Sequence, residues 1–433
     1  DVETPEPIFF GKNLITAVKE GEVSQWAIDD AVRRILRTQF TFSRAEDARR
    51  YDESDIACES HRKLALEAAE KSIVLLKNEN LLPLETSRPM TVACFGALMG
   101  TENLGDHGSS RTVPPHVVTL LDGLKARADE QIKILHDDGS DLKRAADLAS
   151  KADVCIIAAG FTWEHEGEFI PGNEAMEGLD SDEPMVARGG DRNQLRLLAR
   201  DEELIDQVCS ANANTLVAIM AGSAVTMKSW KHKPAAIMMV WYPGMEGGTA
   251  FARLVFGDVS PSGKLPFTIP QDERDLPFFD PDADEIEYGL YHGYTLLAKS
   301  QACAAFPFGH GISYTTFEYG ALRKTTSEEK TFFEVEVTNT GAHAGEEVVQ
   351  FYVGFLSSKI DRPAFLLKGF RRVSLAPGET TLVRFDLDQR DLAYFDAETG
   401  AWTVEAINYT AHIGADSAQA LEQGVSFEAG EIV

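Results

Sequence analysis

The chain has 433 residues, of which 44% are hydrophobic and 25% charged, ordinary values for a globular protein that argue against a disordered or collagen-like chain. It carries 69 acidic and 41 basic residues, and the formal charge of -28 disfavours nucleic acid and anionic membrane surfaces as partners. The longest apolar run, residues 235–242, is far shorter than the roughly 20 residues of a membrane span. Five scattered cysteines without a Cys-x-x-Cys pair favour a reducing compartment, so we expect a cytoplasmic location, with a secreted or periplasmic location as the alternative if an upstream segment is missing.

The first predicted elements are two helices. Apolar residues recur on one helical face between Ala27 and Leu36, and Ser24 before them is a suitable N-cap. A second helix is predicted over residues 61–78. We assign residues 1–40 to a first segment and 41–89 to a linker and helix between domains.

Residues 90–270 predict a layered α/β domain with a mostly parallel sheet, because short apolar runs alternate with helical ones. The predicted strands are Thr91–Phe95, Ile132–His136, Val154–Ala159, Thr215–Met220 and Ala236–Trp241. Helices are expected at 117–126 and 202–211. Ligands bind beyond the carboxyl ends of such strands, so we expect functional residues in the loops after the first, third and fifth strands.

The last part of the chain has a different periodicity. Residues 271–314 are rich in Asp, Pro, Gly and aromatic residues and are interpreted as an ordered connection. From 315 to 433, apolar and polar residues alternate in period two, which predicts an all-β sandwich. Its predicted strands are Thr331–Val337, Glu347–Val353, Thr380–Leu387 and Trp402–Glu405.

The acidic motif Trp163-Glu-His-Glu-Gly-Glu168 is the strongest chemical signal. In an extended stretch, Glu164, Glu166 and Glu168 would lie on one side of the backbone. Like charges raise the pKa of a carboxyl group, and a protonated carboxyl group is what general acid catalysis of glycoside cleavage requires. The alternative is an acidic loop that is merely solvated.

Other chemistries have weaker support. His165 is not part of a His-Glu-x-x-His zinc helix, and no phosphate-binding glycine pattern or Gly-x-Ser-x-Gly elbow occurs in the sequence. We therefore expect neither a metal nor a cofactor.

Several motifs follow one another along the whole chain: Asp1-Val-Glu-Thr-Pro5, Ile28-Asp-Asp-Ala-Val-Arg-Arg-Ile-Leu36, Trp241-Tyr-Pro-Gly-Met-Glu-Gly-Gly248, Phe306-Pro-Phe-Gly-His-Gly-Ile-Ser-Tyr314 and Val337-Thr-Asn-Thr-Gly341. In this order they resemble the C-terminal part of a glycoside hydrolase family three enzyme, the β-glucosidase and β-xylosidase family. The resemblance implies a (β/α)8 barrel first, then an α/β sandwich, then a fibronectin type III-like sandwich. Residues 1–40 would be the end of that barrel.

The resemblance also implies the site. The family's nucleophile is an aspartate in a Ser-Asp-Trp-like motif of the barrel, and no such motif occurs in these 433 residues. Glu166, before Gly167, matches the family's general acid/base position, although an acidic insertion over 168–189 precedes Asp191-Arg192 and leaves Glu164 as the second choice. Asp106, His107 and Arg111 match a second loop that faces the site and, with Trp163, would bind substrate. The alternative for Asp106, His107 and Arg111 is a purely structural role in the loop.

The resemblance implies the C-terminal portion of a retaining, exo-acting β-glycosidase that hydrolyses terminal non-reducing β-D-glucosyl residues. β-D-Xylosides are the alternative substrate. Its partners would be a glycoside and the barrel portion of the same enzyme, and a homodimer is left open. The alternative from another class is a non-catalytic carbohydrate-binding or scaffolding unit, which the absence of the nucleophile motif favours for this chain alone.

Overall fold

The structure is a computed structural model that describes residues 1–3, 9–44, 52–105, 110–167, 192, 194–280, 283–327 and 330–432. By the density of contacts, the chain divides into a unit of residues 1–61 and a larger unit of residues 62–433. The site discussed below lies within the larger unit.

The first unit contains two helices, α1 (Lys12–Glu20) and α2 (Gln25–Ser43). The predicted N-cap of α2 is confirmed, because Ser24 Oγ accepts a hydrogen bond from the N–H of Ala27 at 3.2 Å. That these helices belong to the end of a barrel stays a prediction.

The helix predicted over residues 61–78 is confirmed only as far as Ser72. Helix α3 (Glu59–Ser72) ends there, and residues 74–78 form a strand, β1 (Val74–Asn78). The run Ile73-Val-Leu-Leu76 is buried on both faces, and a short continuous apolar run carries no periodicity that separates strand from helix. Pairing with a neighbouring strand decides the outcome.

The remaining strands of the predicted parallel sheet are confirmed, with ends shifted by one or two residues. They are β2 (Met90–Phe95), β3 (Ile132–Asp137), β4 (Val154–Gly160), β5 (Thr215–Met220) and β6 (Ala236–Met239). The helices around them are α4 (Leu120–Arg127), α5 (Leu142–Ala149), α6 (Trp163–Glu166), α7 (Ala199–Ala211) and α8 (Gly247–Val255).

In the described part of the chain, six strands form one sheet in the order β1-β6-β5-β4-β2-β3. All neighbours are parallel except β1, which pairs antiparallel with β6. Because β4, β5 and β6 are adjacent and parallel, the loops that follow them leave the sheet side by side at one edge. This edge carries the site.

Two glycines allow helices α4 and α8 to pack at close range. A Cβ atom on Gly123 would lie 1.9 Å from the carbonyl oxygen of Gly248, and one on Gly248 would lie 1.9 Å from that of Thr119. The glycines of Trp241-Tyr-Pro-Gly-Met-Glu-Gly-Gly248 therefore serve helix packing as well as a turn.

Replacing Gly123 with Ala should destabilise the chain, although intrinsic helix propensity alone favours Ala by about 1 kcal/mol. The contact with backbone cannot be relieved by a rotamer change, and overpacking costs typically about 1–3 kcal/mol, so we expect a net loss in the free energy of unfolding, measured in urea. Gly289→Ala is the control, because a Cβ atom there meets nothing within 4 Å. A Gly123→Ala variant as stable as wild type would contradict the close packing.

The connection over residues 271–314 contains α9 (Gly293–Ser300) and β8 (Ala304–Phe306). Strand β8 pairs with β7 (Ile269–Pro270), at the end of the α/β domain. The all-β sandwich that follows is confirmed. One sheet holds β9 (Phe317–Tyr319), β10 (Arg323–Ser327), β11 (Lys330–Asn339) and β14 (Thr380–Asp386), and the other holds β12 (Gly345–Gly354), β13 (Phe365–Leu375), β17 (Asn408–Gly414) and β18 (Val425–Glu428). Short helix α10 (Gln389–Leu392) and the hairpin β15 (Tyr394–Asp396) and β16 (Ala401–Thr403) complete it.

The sandwich core contains stacked phenylalanines among its aliphatic residues. The ring of Phe351 lies 5.4 Å from that of Phe333 and 5.1 Å from that of Phe385, so the two sheets meet through aromatic contacts. The sequence analysis missed six strands of this domain, β9, β10, β13, β15, β17 and β18. In β13, residues 370–372 are all exposed and two of them are arginines, which obscures the alternation of apolar and polar residues.

An ion pair joins the sandwich to the α/β domain. Lys264 Nζ lies 2.8 Å from Glu347 Oε1 and donates to the carbonyl of Gly311 at 2.8 Å. Burial raises the pKa of the Glu347 carboxyl group, and the Lys264 ammonium opposes that shift. This pair is little exposed to water and is one of several contacts between the two domains, beside that of Arg372 with Ser262.

Candidate active site

The turn after β4 carries the acidic motif. At Gly160, φ is 138° and a Cβ atom would lie 2.0 Å from the carbonyl oxygen of Met220, so only glycine fits. Thr162 then caps α6, because its Oγ1 accepts a hydrogen bond from the N–H of Glu164 at 3.3 Å. This cap starts one helical turn directly beyond the strand.

The predicted extended form of the motif is therefore wrong. Side chains two residues apart do not face each other on a helix, so Glu164 and Glu166 do not share one side. Glu164 is exposed, whereas only 11% of the Glu166 side chain is exposed. Glu168 lies outside the described residues. Repulsion between Glu164 and Glu166 is not what shapes this site.

Four donors surround the carboxylate of Glu166. Oε1 lies 2.8 Å from Nε of Arg192 and accepts from Ser223 Oγ at 3.1 Å. Oε2 accepts from the N–H of Gly222 at 2.7 Å and from Tyr242 Oη at 2.5 Å. We call this arrangement the Glu166 cradle. It fills the four lone-pair positions of a carboxylate and holds the side chain in one rotamer.

Arg192 is the cation of the cradle. Only 4% of its side chain is exposed, and its guanidinium group lies 4.2 Å from the centre of the Phe161 ring. Nη2 donates to the carbonyl of Ala224 at 3.1 Å and to Ser223 Oγ. Burial lowers the pKa of Arg192, and the negative charge of Glu166 opposes that effect. The guanidinium group is thus fixed by stacking and by the loop after β5.

Tyr242 supplies the shortest contact of the cradle. Burial raises the pKa of its phenol, and the neighbouring Glu166 carboxylate raises it further because a second negative charge there is unfavourable. The hydroxyl group therefore keeps its proton and donates a hydrogen bond to Oε2.

Replacing Tyr242 with Phe should lower the free energy of unfolding by about 1.5–3 kcal/mol, the range for a hydrogen bond to a charged group. Tyr314→Phe is the matched control, because this tyrosine is also largely buried but donates to the uncharged carbonyl of Leu254 at 2.8 Å. The Tyr314→Phe variant should lose about 0.5–1.5 kcal/mol of the free energy of unfolding. Urea unfolding of both variants measures the difference, and equal losses would contradict a charge-assisted bond in the cradle.

The donors of the cradle are of two kinds. Arg192 and the amide of Gly222 can only donate, whereas the hydroxyl groups of Tyr242 and Ser223 can donate or accept. A group that hydrogen-bonds to Glu166 would have to take the place of one of these four donors.

The structure places the sequence-predicted residues unequally. Glu166 is at the centre of the cradle, and Trp163 is half-buried at the start of α6. Arg111 is exposed, and Asp106 and His107 lie outside the described residues. His165 is buried, with Nδ1 3.2 Å from Thr162 Oγ1.

Arg192, Ser223 and Tyr242 were missed as site residues. Arg192 stood in the pattern that follows the acidic insertion, and Tyr242 follows the fifth predicted strand, in a loop where functional residues were expected. Ser223 follows β5, whose loop the sequence analysis did not single out. Both Ser223 and Tyr242 lie in loops at the carboxyl edge of the sheet, where ligands of such sheets bind.

The described residues also bear on other functions. They contain no group of three or more His, Cys, Asp or Glu side chains arranged to hold a metal ion. Within the same residues, every helix is too short or too polar to cross a membrane.

Comparison with known proteins assigns the two domains. The family model of the Glycosyl hydrolase family 3 C-terminal domain matches residues 73–314, more than half of the chain. The chain belongs to glycoside hydrolase family 3. The model of the Fibronectin type III-like domain matches residues 347–417. These matches confirm the family and the fold class expected from the sequence.

Named members of family 3 align with nearly the whole chain. Thermostable beta-glucosidase B of Acetivibrio thermocellus is 32% identical over 94% of the chain and 53% of its own length. A Beta-xylosidase of Formosa agariphila is 32% identical over 90% of the chain and 54% of its own length. The crystal structure of the family 3 beta-glucosidase of Bifidobacterium adolescentis superposes with a TM-score of 0.77 at 28% identity, covering 96% of the chain and 60% of that protein.

The chain thus spans about half the length of the curated relatives it matches. It corresponds to a C-terminal portion of family 3 enzymes, and the Glu166 cradle lies in the domain that the family 3 model matches.

Proposed function

We propose that this chain is the acid/base portion of a retaining, exo-acting β-glycosidase, with Glu166 as general acid/base. The observation that carries the proposal is the Glu166 cradle, in which one carboxyl group is fixed between a buried cation and two hydroxyl groups able to donate or accept hydrogen bonds. The names of the relatives favour β-D-glucosides as substrates, with β-D-xylosides as the alternative.

In the proposed mechanism, an aspartate of a barrel portion outside these 433 residues attacks the anomeric carbon. Glu166 gives its proton to the leaving oxygen as that bond breaks, and a covalent glycosyl-enzyme forms. Glu166 then takes a proton from water, whose oxygen displaces the aspartate from the anomeric carbon. Such a double displacement needs the two carboxyl groups about 5–5.5 Å apart. Activity would therefore depend on how this chain docks against the barrel portion.

The test is hydrolysis of 4-nitrophenyl β-D-glucoside and β-D-xyloside by the purified chain, alone and after addition of the barrel portion as a second polypeptide. We expect the chain alone to be inactive and the pair to hydrolyse the glucoside faster than the xyloside. Activity of the chain alone would contradict a nucleophile outside it. Inactivity of a stable pair would favour the alternative, a non-catalytic carbohydrate-binding unit.

A further inference from the structure

A cavity of about 540 Å³ lies where the α/β domain meets the fibronectin type III-like sandwich, a volume within the usual range for small-molecule sites. We call it the interdomain pocket. From the α/β domain its walls include Gly222, Trp241 and Phe267, and from the sandwich Phe370 and Arg372. Neither the acidic motif nor the substrate-binding loop of the sequence analysis accounts for it.

The pocket shares a wall with the Glu166 cradle. Gly222 lines the pocket, and its N–H donates to Glu166 Oε2 at 2.7 Å. Trp241 lines the pocket too, and the next residue, Tyr242, donates to the same oxygen at 2.5 Å. A ligand group in the pocket would therefore lie next to the loops that hold the proposed proton donor.

The backbone at Trp241 is in a conformation that bulky residues rarely adopt, with φ of 62°. Its indole Nε1 donates to the carbonyl of Ser72 at 2.8 Å, and its ring packs edge-on against Phe267 at 5.6 Å. These contacts hold the indole at the wall of the pocket in spite of the strained backbone. Strain of this kind is concentrated at sites that bind ligands.

The cations in the wall are already paired with carboxylates. Lys71 and Arg372 share Glu346, with contacts of 3.1 and 2.9 Å, and Lys264 pairs with Glu347 at 2.8 Å. Lys71 also lies 3.0 Å from Glu67, so the three cations are matched by three carboxylates. The wall therefore carries no excess of positive charge and is mainly apolar, which favours a neutral ligand over an anion. Among the described residues, every hydrogen bond and ion pair of Arg372 uses Nη1, so Nε and Nη2 are left to donate to a ligand.

We propose that the interdomain pocket binds the leaving-group side of a neutral β-glycoside, stacking a sugar ring on Trp241 or Phe370 and bonding its hydroxyl groups to Arg372. The inference rests on the proposed function, since it gives the leaving group a place beside Glu166. It also assigns a substrate-binding role to the sandwich domain, through Phe370 and Arg372 of β13.

Calorimetric titration of the 433-residue chain with cellobiose, a neutral β-linked disaccharide, tests the pocket without any turnover. We expect saturable binding to wild type and a loss of affinity of about tenfold in Phe370→Ala, as for other aromatic contact residues. Phe395→Ala is the matched control, because Phe395 is 55% exposed on the β15–β16 hairpin and Phe370 is 62% exposed. Arg372→Lys should also weaken binding, since it keeps the charge near Glu346 but loses the planar donors.

Two outcomes overturn the inference. One is the absence of saturable cellobiose binding to the folded chain, and the other is equal affinity in Phe370→Ala and wild type. Tighter binding of an anionic β-glucuronide than of cellobiose would also contradict a neutral-ligand pocket. Failure of the proposed function has a different signature. In that case the chain would still bind cellobiose in a Phe370-dependent way, but the pair with the barrel portion would not hydrolyse aryl glucosides.

Discussion

Replacing Glu166 with Gln should slow hydrolysis of β-glucosides with poor leaving groups by about 10²–10⁴-fold in the chain assembled with its barrel portion, the contribution typical of general acid catalysis. Aryl glucosides with activated leaving groups should lose much less in the step that forms the glycosyl-enzyme, because their leaving oxygen needs little protonation. The measurement is the ratio of kcat/KM for the two substrate types in variant and wild type.

Glu164→Gln is the matched control for this prediction. Glu164 lies two residues away on the same helical turn but is exposed, and no described contact ties it to the cradle. We expect it to retain the activity of wild type with both substrates, and a large selective loss in this variant instead would transfer the role to Glu164.

The Glu166→Gln substitution places an amide NH2 group against donors of the cradle, so this variant will also lose stability. The ratio between substrates is unaffected by the fraction of folded protein, which keeps the test valid. Equal loss with both substrates would indicate structural damage instead of a missing proton donor.

Replacing Arg192 with Leu should lower the free energy of unfolding by about 3–5 kcal/mol, the cost of leaving a buried charge without its partner. Glu166 would keep Tyr242, Ser223 and Gly222 as donors but lose the cation that lies 2.8 Å from Oε1. Arg192→Lys should lose less, because it keeps the charge but not the stacking on Phe161 or the bond to Ala224. Urea unfolding measures all of these changes.

Arg127 provides the control pair. It forms a bidentate contact with Asp258 at 2.6 and 2.7 Å, but both side chains are partly exposed, and such pairs contribute at most about 1 kcal/mol. Arg127→Leu should therefore cost far less than Arg192→Leu. In addition, the double variant Arg192→Leu with Glu166→Leu should lose less than the two single variants together, since no charge is then left unpaired. Strict additivity would contradict a direct coupling between Arg192 and Glu166.

Residues 61–78 and 163–167 show why the sequence predicts some local structure correctly and some incorrectly. Strands such as Thr215–Met220 were correct because they are continuous apolar runs bounded by polar turns. The same kind of run at 74–76 followed a helix without a break, and only pairing with β6 makes it a strand. The acidic motif was considered in an extended form, because the sequence of the motif alone does not show that Thr162 caps a helical turn.

The family motifs determined the domain order, the fold class and the choice of Glu166, since each of these depends on residues close together in the chain. The surroundings of Glu166 depend on residues distant in sequence, and the order of β4, β5 and β6 brings their loops together. Ser223 and Tyr242 lie 57 and 76 residues from Glu166 in the chain. Periodicity describes which face of an element is buried, but not which strands become neighbours. The donors that hold the carboxylate, and the pocket beside it, are therefore decided by the tertiary structure alone.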